Sequence, residues 1–250
     1  MTEETENAGY EVHDRRPMPP REWAVMRWFT DGAIRLGLSA NDISMLSMVF
    51  AAIGAGATAA TGSATGLSHR GLWLVGVVGV ELRAFCNLLD GMVAVKTQTA
   101  SPVGELYNEV PDRISDVLMF VGLGYAAGSV HEFADVAAAP TLGWIAATAA
   151  VMVAYVRAQS AVSGAGQDYR GIMSKPVRMQ LVAIGCLFMA LAPSEWRMAF
   201  WGPTEAINHK MTLPTWGVPQ AVLVLIIFGC TLTVVGRLVR AGRRLREGAA

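Results

Sequence analysis

Charge is scarce in this chain. Asp, Glu, Lys and Arg make up 16% of its 250 residues, against about 25% in an ordinary soluble domain. Net charge is absent altogether, because 20 Lys+Arg balance 20 Asp+Glu. That balance excludes a strongly basic nucleic-acid binder, so no nucleic-acid partner is expected, and a 53% hydrophobic content excludes a disordered chain. Cysteine is scarce too. Cys86, Cys186 and Cys230 stand at unrelated spacings, which excludes a disulfide framework and leaves no metal or redox spacing among them. They read as small apolar packing residues. What remains, at a mean hydropathy of +0.39, is a membrane protein or an unusually apolar soluble one.

Long apolar runs decide between these. They occupy residues 43–62, 72–95, 110–129, 141–163, 178–194 and 216–239. Each is near the roughly 20 residues a helix needs to cross about 30 Å of hydrocarbon. Strict period-two alternation is missing, so helices are expected and not a barrel. The first run holds no charge and carries Gly54, Gly56 and many alanines, the small residues that let membrane helices pack closely. The expected fold is therefore an all-α integral membrane protein of six transmembrane helices.

The flanks differ in kind. Residues 1–20 are polar, acidic and proline-bearing, and read as a disordered cytoplasmic tail. Residues 21–38 mix Trp23, Met26, Trp28, Phe29 and Ile34 with Arg21, Arg27 and Arg35, the pattern of an amphipathic juxtamembrane helix lying on a membrane surface. A plain connector is the other reading of that stretch. Residues 39–240 form the membrane domain, and 241–250 a basic cytoplasmic tail.

Orientation follows from Lys and Arg. Six spans put both termini on one side, with the loops after spans two and four. That side carries fourteen of the twenty basic residues; the other holds only Arg70, Arg197 and Lys210, and Arg83, Arg113 and Arg157 fall inside spans. Both termini are expected in the cytoplasm. Trp73, Trp144, Trp196, Trp201 and Trp216 would form the outer aromatic belt, and Trp23 and Trp28 the inner one. The run Arg237 to Arg246 reads as an anchor that snorkels to anionic lipid.

Charges within membrane spans are costly and mark functional sites by default. At about 100° per residue, Arg83, Asn87, Asp90, Gly91 and Ala94 share one face of span two. On span three, Glu105, Glu109, Asp112 and Asp116 fall on one stripe, with Asn108 at its edge. Both stripes lie at the cytoplasmic end. Together they make a cluster of oxygen donors of the kind that binds Mg²⁺, Mn²⁺ or Ca²⁺. Gly91 and Ala94 leave a smooth patch where a nucleotide or phosphate can come close. The plain alternative is ion pairing at helix ends, Asp112 with Arg113 or Asp116 with Arg83.

The stretch Asp90-Gly91-Met92-Val93-Ala94, followed by Gly104, Asn108 and Asp112, resembles the signature of the CDP-alcohol phosphatidyltransferases. That signature reads D-x-x-D-G-x-x-A-R, eight residues, then G-x-x-x-D-x-x-x-D, and the register from Asp90 to Asp112 matches it without a gap. Ser39-Ala40-Asn41-Asp42-Ile43-Ser44 is similar to the family's T-P-N-x-I-T start of helix one. Tyr155-Val156-Arg157-Ala158 is similar to its Y-x-R-A segment, and Gly171-Ile172-Met173-Ser174-Lys175 to its phosphate-contacting G-K-x-K-T loop. The resemblance covers about residues 35–240. Three positions depart from it: Asn87 and Asn108 stand where the family has Asp, and Val95 where it has Arg, with Lys96 one place later. The substitutions halve the motif's carboxylates, leaving one or two cations open.

The resemblance implies a membrane enzyme of phospholipid synthesis, with its active site at the cytoplasmic face of a bacterial-type inner membrane. A phosphatidyl group would pass from a CDP-alcohol such as CDP-diacylglycerol to an acceptor alcohol, releasing CMP. It implies a divalent cation, Mg²⁺ or Mn²⁺, held by Asn87, Asp90, Asn108 and Asp112, with Glu109 and Asp116 as further candidates. Asp112 takes the place of the general base. Gly91, Ala94 and Gly104 would line the nucleotide pocket, and Lys96, Arg113, Arg157 and Lys175 would meet phosphate or acceptor. A homodimer surrounded by membrane lipid is implied as well. Two other classes stay open: a non-catalytic relative that binds nucleotide or lipid, motivated by the two Asn, and a small ion transporter. The acids lie at one membrane face and not the midplane usual for transport sites, which tells against the last.

Overall fold

The computed structural model describes residues 23–99, 102–128, 138–193 and 217–247. The tail at 1–20, Trp196, Trp201 and Trp216, and the side chain of Glu105 lie outside the described residues. Those described form seven α-helices and no strand. They are α1 (Ala24–Arg35), α2 (Ala40–Ala60, continued by a 3₁₀ turn over Thr61–Ser63), α3 (Gly66–Lys96), α4 (Pro102–Gly128), α5 (Ala138–Val162), α6 (Lys175–Leu191) and α7 (Val218–Glu247).

Each of the six apolar runs overlaps one of α2 to α7, but four of those helices are long and apolar enough to cross a bilayer: α2 with its turn, α3, α5 and α7. The other two fall short for different reasons. α4 carries Glu105, Glu109, Asp112, Arg113 and Asp116 within its first fifteen residues, with Pro111 inside it. α6 has only 17 residues, which at 1.5 Å per residue rise about 26 Å.

The helix ends follow local chemistry. α2 opens on a reciprocal cap: Ser39 Oγ accepts from Asp42 N at 3.2 Å, while Asp42 Oδ2 accepts from Ser39 N at 2.9 Å. This is a capping box with Asp in the usual Glu place. In α6, Pro176 sits in the first turn, where its missing N–H costs nothing.

The chain divides into two compact units. The first comprises residues 1–50 and 82–115. Its core is Ala33, Ile43, Cys86, Leu89 and Val93. There α1 buries Met26, Thr30 and Ala33 and leaves Trp23, Val25, Trp28 and Phe29 exposed. An edge-to-face contact of Phe29 with Phe85, centroids 4.9 Å apart, ties α1 to α3.

The second unit comprises residues 51–81 and 116–250. Its larger core includes Trp73, Phe120, Leu123, Met179, Leu223 and Ile226. Trp73 is thus a core residue and not a member of an outer belt; its Nε1 donates to His69 Nε2 at 3.2 Å. Trp144 is exposed, as a belt residue would be. Backbones approach closely where side chains vanish: a Cβ on Gly122 would lie 2.6 Å from the carbonyl oxygen of Ala55. All three cysteines are buried and free, as packing residues should be.

Candidate active site

The first unit holds the motif. Helical periodicity puts Arg83, Asn87 and Asp90 on one face of α3, and α2 and α4 supply partners to them. Ser44 Oγ donates to Asp90 Oδ2 at 2.8 Å, and the N–H of Gly91 donates to Oδ1. Asp90 is buried, so these bonds offset part of its desolvation. Ser47 Oγ meets Asn87 Oδ1 at 3.2 Å. Arg83, fully buried, reaches α4, where its Nη2 donates to the carbonyl of Asp112 at 3.2 Å and lies 3.6 Å from Oδ1. Arg113 Nη2 stands 3.6 Å from the other oxygen of Asp112 and 3.4 Å from Glu109. The expected pairing of Asp112 with Arg113 is present, and Arg83 joins it. Pro111 removes one helical hydrogen bond just before Asp112.

Whether these residues fit a cation can be read from Asn87. Its Nδ2 is buried without a hydrogen-bond partner. Amide nitrogen and oxygen exchange places by a half-turn about the last torsion. In the flipped form Nδ2 donates to Ser47 Oγ and the buried oxygen is the free atom, which is what a cation ligand requires. Among the described residues no three His, Cys, Asp or Glu side chains converge as a metal site. A cation here would therefore depend on amide oxygens beside Asp90 and Asp112. Such a donor set fits one hard cation better than two.

Other expected site residues are placed differently. Lys96 is hydrogen-bonded to Asp31 of α1. That bond from Lys96 holds the Asp31 carboxyl below its ordinary range, against the opposing effect of desolvation. Gly91, Ala94, Gly104 and Asn108 are half-buried.

Asp116 belongs to the second unit. There it accepts from Arg178 Nη2 at 2.9 Å, with both side chains buried. Arg178 also donates to the carbonyl of Met173 at 3.0 Å. It is a structural ion pair and not a surface charge.

The same unit gathers more guanidinium groups. Arg157 stacks over the Tyr169 ring, 5.2 Å from its centroid. Arg237 lies within electrostatic reach of Arg157, Arg178 and Arg240. It does not snorkel. It is buried, and donates to the carbonyls of Arg170 at 3.1 Å and Val153 at 2.7 Å. Arg240 is bonded to Asp168, and the exposed Arg244 to the carbonyl of Ala165. Lys175 opens α6. Asp168 was not singled out from the sequence and Arg237 was read only as a lipid anchor, because nothing local distinguishes an inward arginine in a basic run from an outward one.

No family model matches the chain. A bifunctional IPC transferase and DIPP synthase of Rubrobacter xylanophilus is 28% identical over 179 residues, covering 70% of this chain and 37% of that protein. The chain thus spans little more than a third of that relative's length. Among solved structures, phosphatidylinositol phosphate synthase of Mycobacterium tuberculosis in complex with manganese and citrate superposes with a TM-score of 0.64 at 19% identity, over 86% of this chain and 88% of that one. The same synthase with CDP-DAG bound gives a TM-score of 0.64 at 19% identity, over 88% and 94%. The chain has the fold of that synthase. These relatives, enzymes by their names, support the family resemblance read from the sequence.

Proposed function

We propose that this protein is a membrane CDP-alcohol phosphatidyltransferase, moving a phosphatidyl group from CDP-diacylglycerol or a related CDP-alcohol to a phosphorylated acceptor alcohol and releasing CMP. The observation that carries the reading is the Arg83–Asp112 contact, which fastens the second half of the motif to the first. In this reading α4 and α6 also cross the bilayer, making six spans with both termini cytoplasmic and α1 on the membrane surface. The active form is a homodimer, as the resemblance implies.

A divalent cation held by Asp90, Asp112 and the amide oxygens of Asn87 and Asn108 would neutralise the donor's pyrophosphate. The remaining work falls to the chain's own groups. Gly91 and Ala94 leave room for the nucleotide against α3. Arg83 and Arg113 aim the carboxylate of Asp112, which takes the proton of the incoming hydroxyl as its oxygen bonds to phosphorus and the bond to CMP breaks. Arg157, Arg178, Arg237 and Arg240 gather in the second unit, with Asp116 and Asp168 as the carboxylates bonded to them. Like charges held together call for an anion, and a phosphate on the acceptor supplies it.

Purified protein given CDP-diacylglycerol, Mn²⁺ or Mg²⁺ and a panel of alcohols and alcohol phosphates should release CMP only with metal, and Asp112→Asn should abolish release. A second reading, a non-catalytic relative that binds nucleotide, is favoured by Asn87, Asn108 and the lack of three converging acids among the described residues. Tight CDP-diacylglycerol binding without CMP release would establish it.

A further inference from the structure

The stretch Gly164 to Ser174, joining α5 to α6, is strapped to the C-terminal half of α7. Arg244 Nη1 donates to the carbonyl of Ala165 at 3.0 Å, and Thr233 Oγ1 accepts from Met173 N at 3.1 Å. Between them Arg237 Nε and Arg240 Nη2 both donate to the carbonyl of Arg170, at 3.1 and 3.3 Å. Asp168 sits at the centre of this strap, its side chain 5% exposed. Its carboxylate accepts from Arg170 N and Nε, each at 3.0 Å, and from Arg240 Nε at 2.6 Å.

What Asp168 holds is the segment Tyr169–Arg170. That segment hands Arg237 a carbonyl acceptor and carries the ring over which Arg157 stacks. A guanidinium is a planar fork, and its direction decides which anion oxygens it reaches. We infer that Asp168 is a positioning residue for the acceptor's phosphate, acting through Tyr169 and Arg170 to aim Arg157 and Arg237 without touching substrate. The inference rests on the phosphorylated-acceptor reading proposed above.

The sign of one measurement separates this from simpler roles. Removing a carboxylate from among arginines would, by charge alone, tighten the binding of an anion. A role confined to closing the loop would lower stability and leave anion affinity unchanged. Positioning predicts weaker binding.

The full-length protein in detergent is titrated with inorganic phosphate at constant ionic strength, with the thermal midpoint as readout. Asp168→Asn should weaken phosphate at least about tenfold, and Asp168→Glu should stay within about threefold of wild type. Unchanged or tighter binding by Asp168→Asn, or no phosphate binding by wild type, overturns the inference. If Asp168→Asn does not fold, Asp168→Ser carries the same test, because it too removes the carboxylate while its hydroxyl can still accept from Arg170 N. CMP release is assayed in parallel. A wild type that releases no CMP yet binds phosphate in an Asp168-dependent way overturns the reaction and leaves the inference standing. A wild type that releases CMP while Asp168→Asn binds phosphate normally overturns the inference alone.

Discussion

Arg83 of α3 and Asp112 of α4 are bound twice, once through the Asp112 carbonyl at 3.2 Å and once through its carboxylate at 3.6 Å. The Arg83 side chain has 0% of its surface exposed. A buried charge whose partner is removed costs roughly 3–5 kcal/mol, because neither water nor a counter-ion replaces it. Arg83→Leu should therefore lower stability sharply by leaving Asp112 less compensated. The double variant Arg83→Leu/Asp112→Asn should recover part of that loss while remaining inactive. Thermal melts in detergent decide this; a double variant no more stable than Arg83→Leu would show that the pair is not coupled.

The two asparagines of the motif make a second expectation. Asn87→Asp combined with Asn108→Asp restores two carboxylates to the donor set, and hard cations bind more tightly as carboxylates are added. The apparent affinity for Mn²⁺ should rise by about tenfold or more. Metal titration of the thermal midpoint reads this whether or not turnover occurs. An unchanged affinity would place the cation elsewhere.

Gly122 has no room for a side chain, since a Cβ there meets the Ala55 carbonyl oxygen at 2.6 Å and its Cα at 2.9 Å. Both obstacles are backbone, so neither can swing away. Gly122→Ala should cost about 1–3 kcal/mol, the usual penalty of overpacking. Gly56→Ala, where a Cβ meets nothing within 4 Å, is the matched control. Equal melting of the two variants would contradict the packing.

Asp168 sets a pH dependence. Burial alone would raise its carboxyl, but the hydrogen bonds from Arg170 and Arg240 outweigh that and hold it well below the ordinary carboxylate range. A folded pKa below the unfolded value of about 3.9 gives stability that is complete above that pH and lost as pH falls through the lower, folded value. Wild type should exceed Asp168→Asn in stability at neutral pH, and the gap should narrow below about pH 4. A gap that stays constant down to pH 3 would remove the carboxylate from the argument.

Much of the site was legible in the residues alone. Helical periodicity put Arg83, Asn87 and Asp90 on one face, and the structure leaves Asp90 and Arg83 buried there. The spacing from Asp90 to Asp112 was enough to point to the family. Asp112 with Arg113 was foreseeable because neighbours on one chain need no fold to meet. Six spans were less secure, because hydropathy alone does not say how a charged α4 or a 17-residue α6 is accommodated.

The sequence by itself determined an apolar helical chain with its scarce charges ordered along helix faces, since that order depends only on 3.6 residues per turn and on what lipid excludes. Only the tertiary structure decided who meets whom. Asp116 went to Arg178, 62 residues away. Lys96 went to Asp31, 65 residues away, and Arg240 to Asp168, 72 residues away. Pairing at such separations leaves no local trace. It is set by which helices pack together and by the cost of leaving any buried charge without a partner.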